Sequence, residues 1–111
     1  MKNQYINNAD FLAALIEYKK LLEESKQEDK PRPRIPNYIG ECFLKIANNL
    51  AKRPNFCMYT YKDEMVSDAI ENCIMYFESF NPDKSKNPFA YFTQICWNAF
   101  VRRIAKEKKQ Q

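Results

Sequence analysis

The chain has 111 residues, enough for one domain with a modest core and too few for two. A single glycine, Gly40, and six prolines grouped at a few sites argue against a many-turned β-sandwich and for helices joined by short proline-bearing loops. With no histidine the commonest general base and the usual triads are missing. No apolar run approaches the ~18 residues of a membrane span and no secretory leader is visible, so a soluble intracellular protein is expected.

Cys42, Cys57, Cys73 and Cys96 form no CxxC pair and have no histidine to complete a mixed zinc site. They read as reduced, buried or idle thiols rather than as a Cys-only metal site, which fits a cytosolic protein. Catalysis would have to rest on carboxylates or lysines, and no arrangement of them stands out.

The net charge of +4 is unevenly distributed: residues 1–60 carry ten bases and seven acids, residues 61–80 one base and five acids, and residues 81–111 seven bases and two acids. An acidic helix therefore precedes a basic one, a dipolar layout suited to one basic partner and one polyanion.

In chain order, Asn7, Asn8 and Asp10 are candidate N-caps for a first helix running to about Lys26. Its apolar face is read as Phe11, Leu12, Ala14, Leu15, Ile16, Lys19 and Leu22. The proline-rich stretch that follows is an exposed linker, and its trio Lys30, Arg32 and Arg34 reads as a solvated loop rather than a nucleic-acid contact. A second helix is predicted from a cap at Asn37 through Arg53, with Ile39, Phe43, Ile46, Ala47 and Leu50 as its stripe and Pro54 as its stop. Phe56, Tyr59 and Tyr61 belong to a loop tucked against the bundle.

Thr60 and Asp63 have the spacing of a capping box and open a third helix from about Tyr61 to Ser79. Met65, Ala69, Cys73, Tyr76, Phe77 and Phe80 are its predicted buried side, and Glu64, Asp68 and Glu71 lie along one flank. That flank reads as a solvated face or as a docking surface. Asn87 caps and Pro88 begins the last helix, predicted to run to about Lys106 before a fraying polar tail. Phe89, Phe92, Cys96, Ala99, Phe100 and Ile104 follow the core period. Tyr91, the basic end and Trp97, which sits at the border, are what packing leaves over. Five aromatic rings and seven Lys or Arg between Asn81 and Lys109 suit an element that touches phosphates while offering flat faces to unpaired bases.

Glu64 to Lys109 resembles region 2 of bacterial sigma factors. Within it, NPFAYFTQICWNAFVRRIAKEKK is similar to the late-transcription sigma factors of T4-type phages. The likeness extends more weakly through LAALIEYKK and LAKRPNF, and so covers most of the chain. It implies an all-α fold, a compact bundle of about four helices in one domain over residues 1–111. Within that domain, 1–28 is an N-terminal helix, 29–36 a linker and 37–107 the polymerase-docking and promoter-binding core.

The resemblance also implies a role: docking on the clamp coiled coil of the largest RNA polymerase subunit and directing it to an AT-rich late-type promoter element, partly single-stranded. Glu64, Ser67, Asp68, Ile70 and Ile74, with Glu71 of the acidic flank, take the docking positions. Tyr91 takes the place of an aromatic used against a base captured out of the stack, and Asn98 and Val101 lie over the upstream edge of the element. Lys84, Lys86, Arg102, Arg103 and Lys106 hold phosphates.

Gln94 and Ile95 stand where housekeeping sigma factors place two adjacent tryptophans, so the usual wedge at the duplex fork is missing. The clamp-binding extension of the phage factors does not follow Gln111, which puts a sliding-clamp partner in doubt. No enzyme activity, cofactor or metal is implied, and the expected compartment is the cytoplasm of a host bacterial cell. The alternatives are a phage helical adaptor that binds polymerase or another protein without promoter recognition, and a nonspecific nucleic-acid-binding protein that needs no polymerase.

Overall fold

Asn7 opens the first helix as an N-cap, its side chain accepting the Asp10 N–H at 3.1 Å. In the computed structural model, which describes residues 6–109, this helix is α1, Asn8–Gln27. It is followed by α2 (Asn37–Ala51), α3 (Lys62–Tyr76) with a 3₁₀ turn at Phe77–Ser79, and α4 (Pro88–Lys109). The described residues form an all-helical bundle without strands. The pairing of α3 with α4 is its most extensive, α2 packs on both, and α1 lies across α2 and α4.

Phe92 is the hub of the core, its ring 4.9 Å from Phe43, 5.6 Å from Phe11 and 6.0 Å from Phe80. α1, α2 and the segment just after the 3₁₀ turn thus each present a phenylalanine to the same point. A second aromatic group forms below it, with Phe56 edge-on to both Trp97 and Phe100 at 4.9 and 5.0 Å. Phe56 is buried and Tyr59 and Tyr61 are partly so, as the loop reading requires. Among the described residues no charged side chain is fully buried.

Several local expectations need correction. α1 also buries Tyr18, whose hydroxyl donates to the Pro33 carbonyl at 2.6 Å and whose ring packs on Phe77. α1 ends in a Schellman arrangement, with Lys30 N–H on the Ser25 carbonyl and Asp29 N–H on that of Lys26. Asp29 adopts φ 55°, the left-handed conformation usually left to glycine. Asn37 is the first residue of α2 and not its cap. Pro36, extended at φ −58° and ψ 146°, occupies the cap position, and its carbonyl takes the Gly40 N–H.

The Thr60–Asp63 capping box does not form. α3 is entered from Tyr61 without a side-chain cap, so the third helical residue is Glu64, one out of step with Asp63. The paired rings of Tyr59 and Tyr61, 5.3 Å apart against the core, set that entry instead. Tyr76 is 46% exposed because the buried arc of α3 runs through Ala69, Cys73 and Phe77 and leaves Tyr76 on the edge facing α4. Phe89 is 36% exposed, since Pro88 fills the buried position at the start of α4 and the next residue turns outward. α4 continues to Lys109, past the expected end, helped by the Arg103–Glu107 pair and by three lysines in its last turn, favourable at the negative end of a helix. The expected fraying of the tail concerns Gln110 and Gln111, which lie outside the described residues.

Candidate nucleic-acid interface

Two stripes of side chains face each other across the α3–α4 seam. On α4 the stripe is Tyr91, Gln94, Ile95, Asn98 and Arg102, recurring at three and four residues. On α3 and its 3₁₀ turn it is Asn72, Tyr76 and Ser79. Together they line an open groove of about 330 Å³. Five of the ten residues expected to meet DNA therefore converge on one feature. The α3 wall was missed in the sequence, although Asp68, Asn72, Tyr76 and Ser79 continue one edge of the helix at spacings of four, four and three.

Tyr91 is partly buried. It stands edge-on to Phe80 at 5.1 Å and to Phe92 at 5.0 Å, so packing holds its ring at the mouth of the core. Burial pushes its phenol above the usual range. Gln94 donates from Nε2 to Asn98 Oδ1 at 3.1 Å, an i,i+4 bond that orients both amides along the groove. Trp97 is partly buried on the far side of α4, against Phe56, and does not line the groove.

The two walls are joined at one end by the loop between α3 and α4, and Arg102 lies at the other. At one end, Lys84 and Lys86 are exposed on a loop whose turn is built by Asn81: its carbonyl accepts the Lys84 and Ser85 N–H groups, and its side chain accepts that of Asp83. Asn87 then caps α4 through the Ala90 N–H, and Asn8 of α1 reinforces it. Asn8 donates to Asn87 Oδ1 at 2.8 Å and accepts the Phe89 N–H at 3.0 Å. At the other end, Arg102 reaches over the seam to Asn72 Oδ1 at 2.9 Å. Val101, 48% exposed, and Lys106 lie on α4 outside the groove lining.

Arg103, expected among the phosphate contacts, is paired with carboxylates of the protein itself. Its Nε and Nη2 donate to the two oxygens of Asp68 at 2.7 and 3.0 Å, and Nη1 donates to Glu107 at 3.2 Å. The Asp68 carboxylate, with Glu107 behind it, holds the guanidinium above even the high range usual for arginine. Asp68 is thus drawn toward α4, whereas Glu64, Ser67 and Glu71 are exposed on the outer face of α3. Ile70 packs partly into the core and Ile74, 40% exposed, lines a second groove of about 400 Å³ with Ile35, Gly40, Glu41 and Leu44. The positions expected to dock therefore form a band around α3 and not a single face.

In the linker, Lys30 pairs with Glu28 at 2.6 Å, and Arg32 lies 5.4 Å over the Phe77 ring and 3.7 Å from Glu78. The Arg32 contacts strap the loop to the bundle. Among the described residues no group of histidine, cysteine, aspartate or glutamate has metal-binding geometry, and no helix is long and apolar enough to cross a membrane. No protein-family model matches the chain, and no curated protein matches it in sequence.

Proposed function

We propose that this protein is a sigma-like transcription initiation factor, a non-enzymatic subunit that docks on core RNA polymerase and directs it to an AT-rich late-type promoter element. One observation carries the reading: two tyrosine rings, three amides and an arginine line a single groove between α3 and α4, the loop joining these helices carries two exposed lysines, and exposed carboxylates occupy the outer face of α3. A ring at the groove mouth offers a stacking surface to a base out of the duplex, the amides offer donors and acceptors to its edge, and Lys84, Lys86, Arg102 and Lys106 offer phosphate contacts. The polymerase supplies the chemistry; this chain supplies address and strand capture in the bacterial cytoplasm, where that polymerase works.

The test is reconstitution. Core polymerase mixed with the chain should retain it on size exclusion and should open AT-rich templates that core alone leaves closed. Failure to associate with core would refute the proposal.

A second reading, a helical adaptor that binds polymerase or another protein without touching promoter DNA, is favoured by the apolar groove around Ile35, Leu44 and Ile74. Crosslinking separates the two. A photoreactive group at Tyr91 or Arg102 should capture the non-template strand in the polymerase complex if the first reading holds, and no DNA if the chain is an adaptor.

A further inference from the structure

The strongest ion pair of the described protein joins the two surfaces that the proposed function keeps apart. Asp68 and Arg103 are 35 residues apart in sequence. Their side chains are 26% and 19% exposed, whereas the partners in the bridges of Lys26, Lys30 and Arg32 are 41% exposed or more. The geometry is the two-pronged arginine–carboxylate fork, in which charge and direction reinforce each other. Asn72, one turn beyond Asp68, donates to the Asp68 carbonyl at 2.7 Å and accepts from Arg102 at 2.9 Å. Both arginines at the basic end of α4 are thereby tied to one edge of α3. By contrast, Glu64 and Glu71 on the neighbouring face are exposed and form no ion pair among the described residues.

We infer that the Asp68–Arg103 pair is a charge latch: it withholds one phosphate-binding cation of α4 until a basic docking partner engages Asp68 and releases Arg103 toward DNA. This rests on the proposed function, since it assumes a basic partner on α3 and a polyanion on α4. Glu64 and Glu71 make the first contact because they have no internal cation to give up. Asp68 follows, and its exchange of partners leaves Arg103 with Glu107 alone. Docking then raises DNA affinity, and by reciprocity DNA raises the affinity for the docking partner.

The latch is tested without polymerase, by fluorescence anisotropy of a labelled AT-rich single-stranded oligonucleotide over a salt series. Each phosphate contact on a single strand contributes about 0.7 to the slope of log K against log salt. Asp68→Ala should steepen the slope by about 0.7, which extrapolated from 1 M to 50 mM is roughly an eight-fold gain in affinity. Asp63→Ala removes the same charge from an exposed acid of α3 that has no ion pair among the described residues, and should leave the slope unchanged. Adding Arg103→Gln to Asp68→Ala should return the slope to that of the wild type. If Asp68→Ala does not fold, Asp68→Asn, which keeps the side-chain volume, takes its place against Asp63→Asn.

A slope equal to that of the wild type or of the Asp63 variant overturns the latch, as does an absence of oligonucleotide binding by the Asp68 variant. Retention of the wild-type chain by core polymerase is scored separately, so failure of the latch and failure of the docking reading are told apart.

Discussion

Removing the ring of Tyr91 should uncouple docking from strand capture, and the structure indicates how large each effect will be. Tyr91→Ala deletes two edge-to-face aromatic contacts, with Phe80 and Phe92, each worth about 0.5–1.5 kcal/mol beyond area. A fully buried aromatic costs about 3–5 kcal/mol on truncation; for this partly exposed ring about 2–3 kcal/mol is expected. In a domain of this size that lowers Tm by roughly 10–20 °C. The functional loss is separate: one stacked base is worth about 1–3 kcal/mol, a 5- to 150-fold weaker hold on the opened strand. Tyr91→Phe keeps the ring, and since the Tyr91 hydroxyl makes no hydrogen bond among the described residues, both quantities should stay within about 0.5 kcal/mol of the wild type.

The assay pairs thermal denaturation with binding of a forked AT-rich template to the core complex, run well below both melting transitions. Docking on core is followed independently by anisotropy of the labelled chain. A Tyr91→Ala variant that docks normally and holds the forked template within two-fold of the wild type would refute the assignment of Tyr91. A Tyr91→Phe variant as weak as Tyr91→Ala would move the role from the ring to the phenol.

Three further outcomes are expected. Asn8→Ala removes an acceptor from the Phe89 N–H and a donor from Asn87, and should cost about 1 kcal/mol, a fall in Tm of about 4–8 °C, with Asn8→Asp recovering part because it retains the acceptor at a helix N-terminus. Gly40 sits in a helix without a positive φ, and an added Cβ meets nothing within 4 Å; Gly40→Ala should therefore stabilise by about 0.5–1 kcal/mol in chemical denaturation. With an aromatic disulfide reagent at pH 8, Cys57 should react first in the native protein and the other three thiols only on unfolding. Burial raises the Cys42 pKa, and the neighbouring Cys96 sulfur at 3.6 Å together with burial raises that of Cys73, so the thiolate fraction of each is lower at that pH than for a free thiol.

What could be read from the chain was local. Asn7 and Asn87 announce their helices because a cap is a three-residue event, and Phe92, Cys96 and Phe100 declare the inner face of α4 because burial follows the helical period. Where two neighbours compete for one buried position, periodicity has no means of choosing, and Pro88 displaced Phe89 for that reason. Pro36 likewise outweighed Asn37 at the entry to α2, through backbone rigidity and not side-chain hydrogen bonding. The groove was half legible: its α4 wall was named residue by residue, while Asn72, Tyr76 and Ser79 needed the packing angle of α3 on α4. The Asp68–Arg103 fork depends on how two helices cross, which no spacing along the chain encodes.

α1 looked like plain scaffold, yet it holds both feet of the loop that carries Lys84 and Lys86. Near one end Asn8 grips the start of α4, and further along Lys19 donates to the carbonyls of Glu78 and Phe80, where α3 has just finished. These two grips are eleven residues apart on a continuous helix, about 16 Å at 1.5 Å per residue. The helix therefore acts as a ruler. It sets the distance between the abutments of the loop independently of what lies between Asn81 and Asn87, so residues 82–86 are free to change in composition and length while the ground they stand on keeps its dimensions.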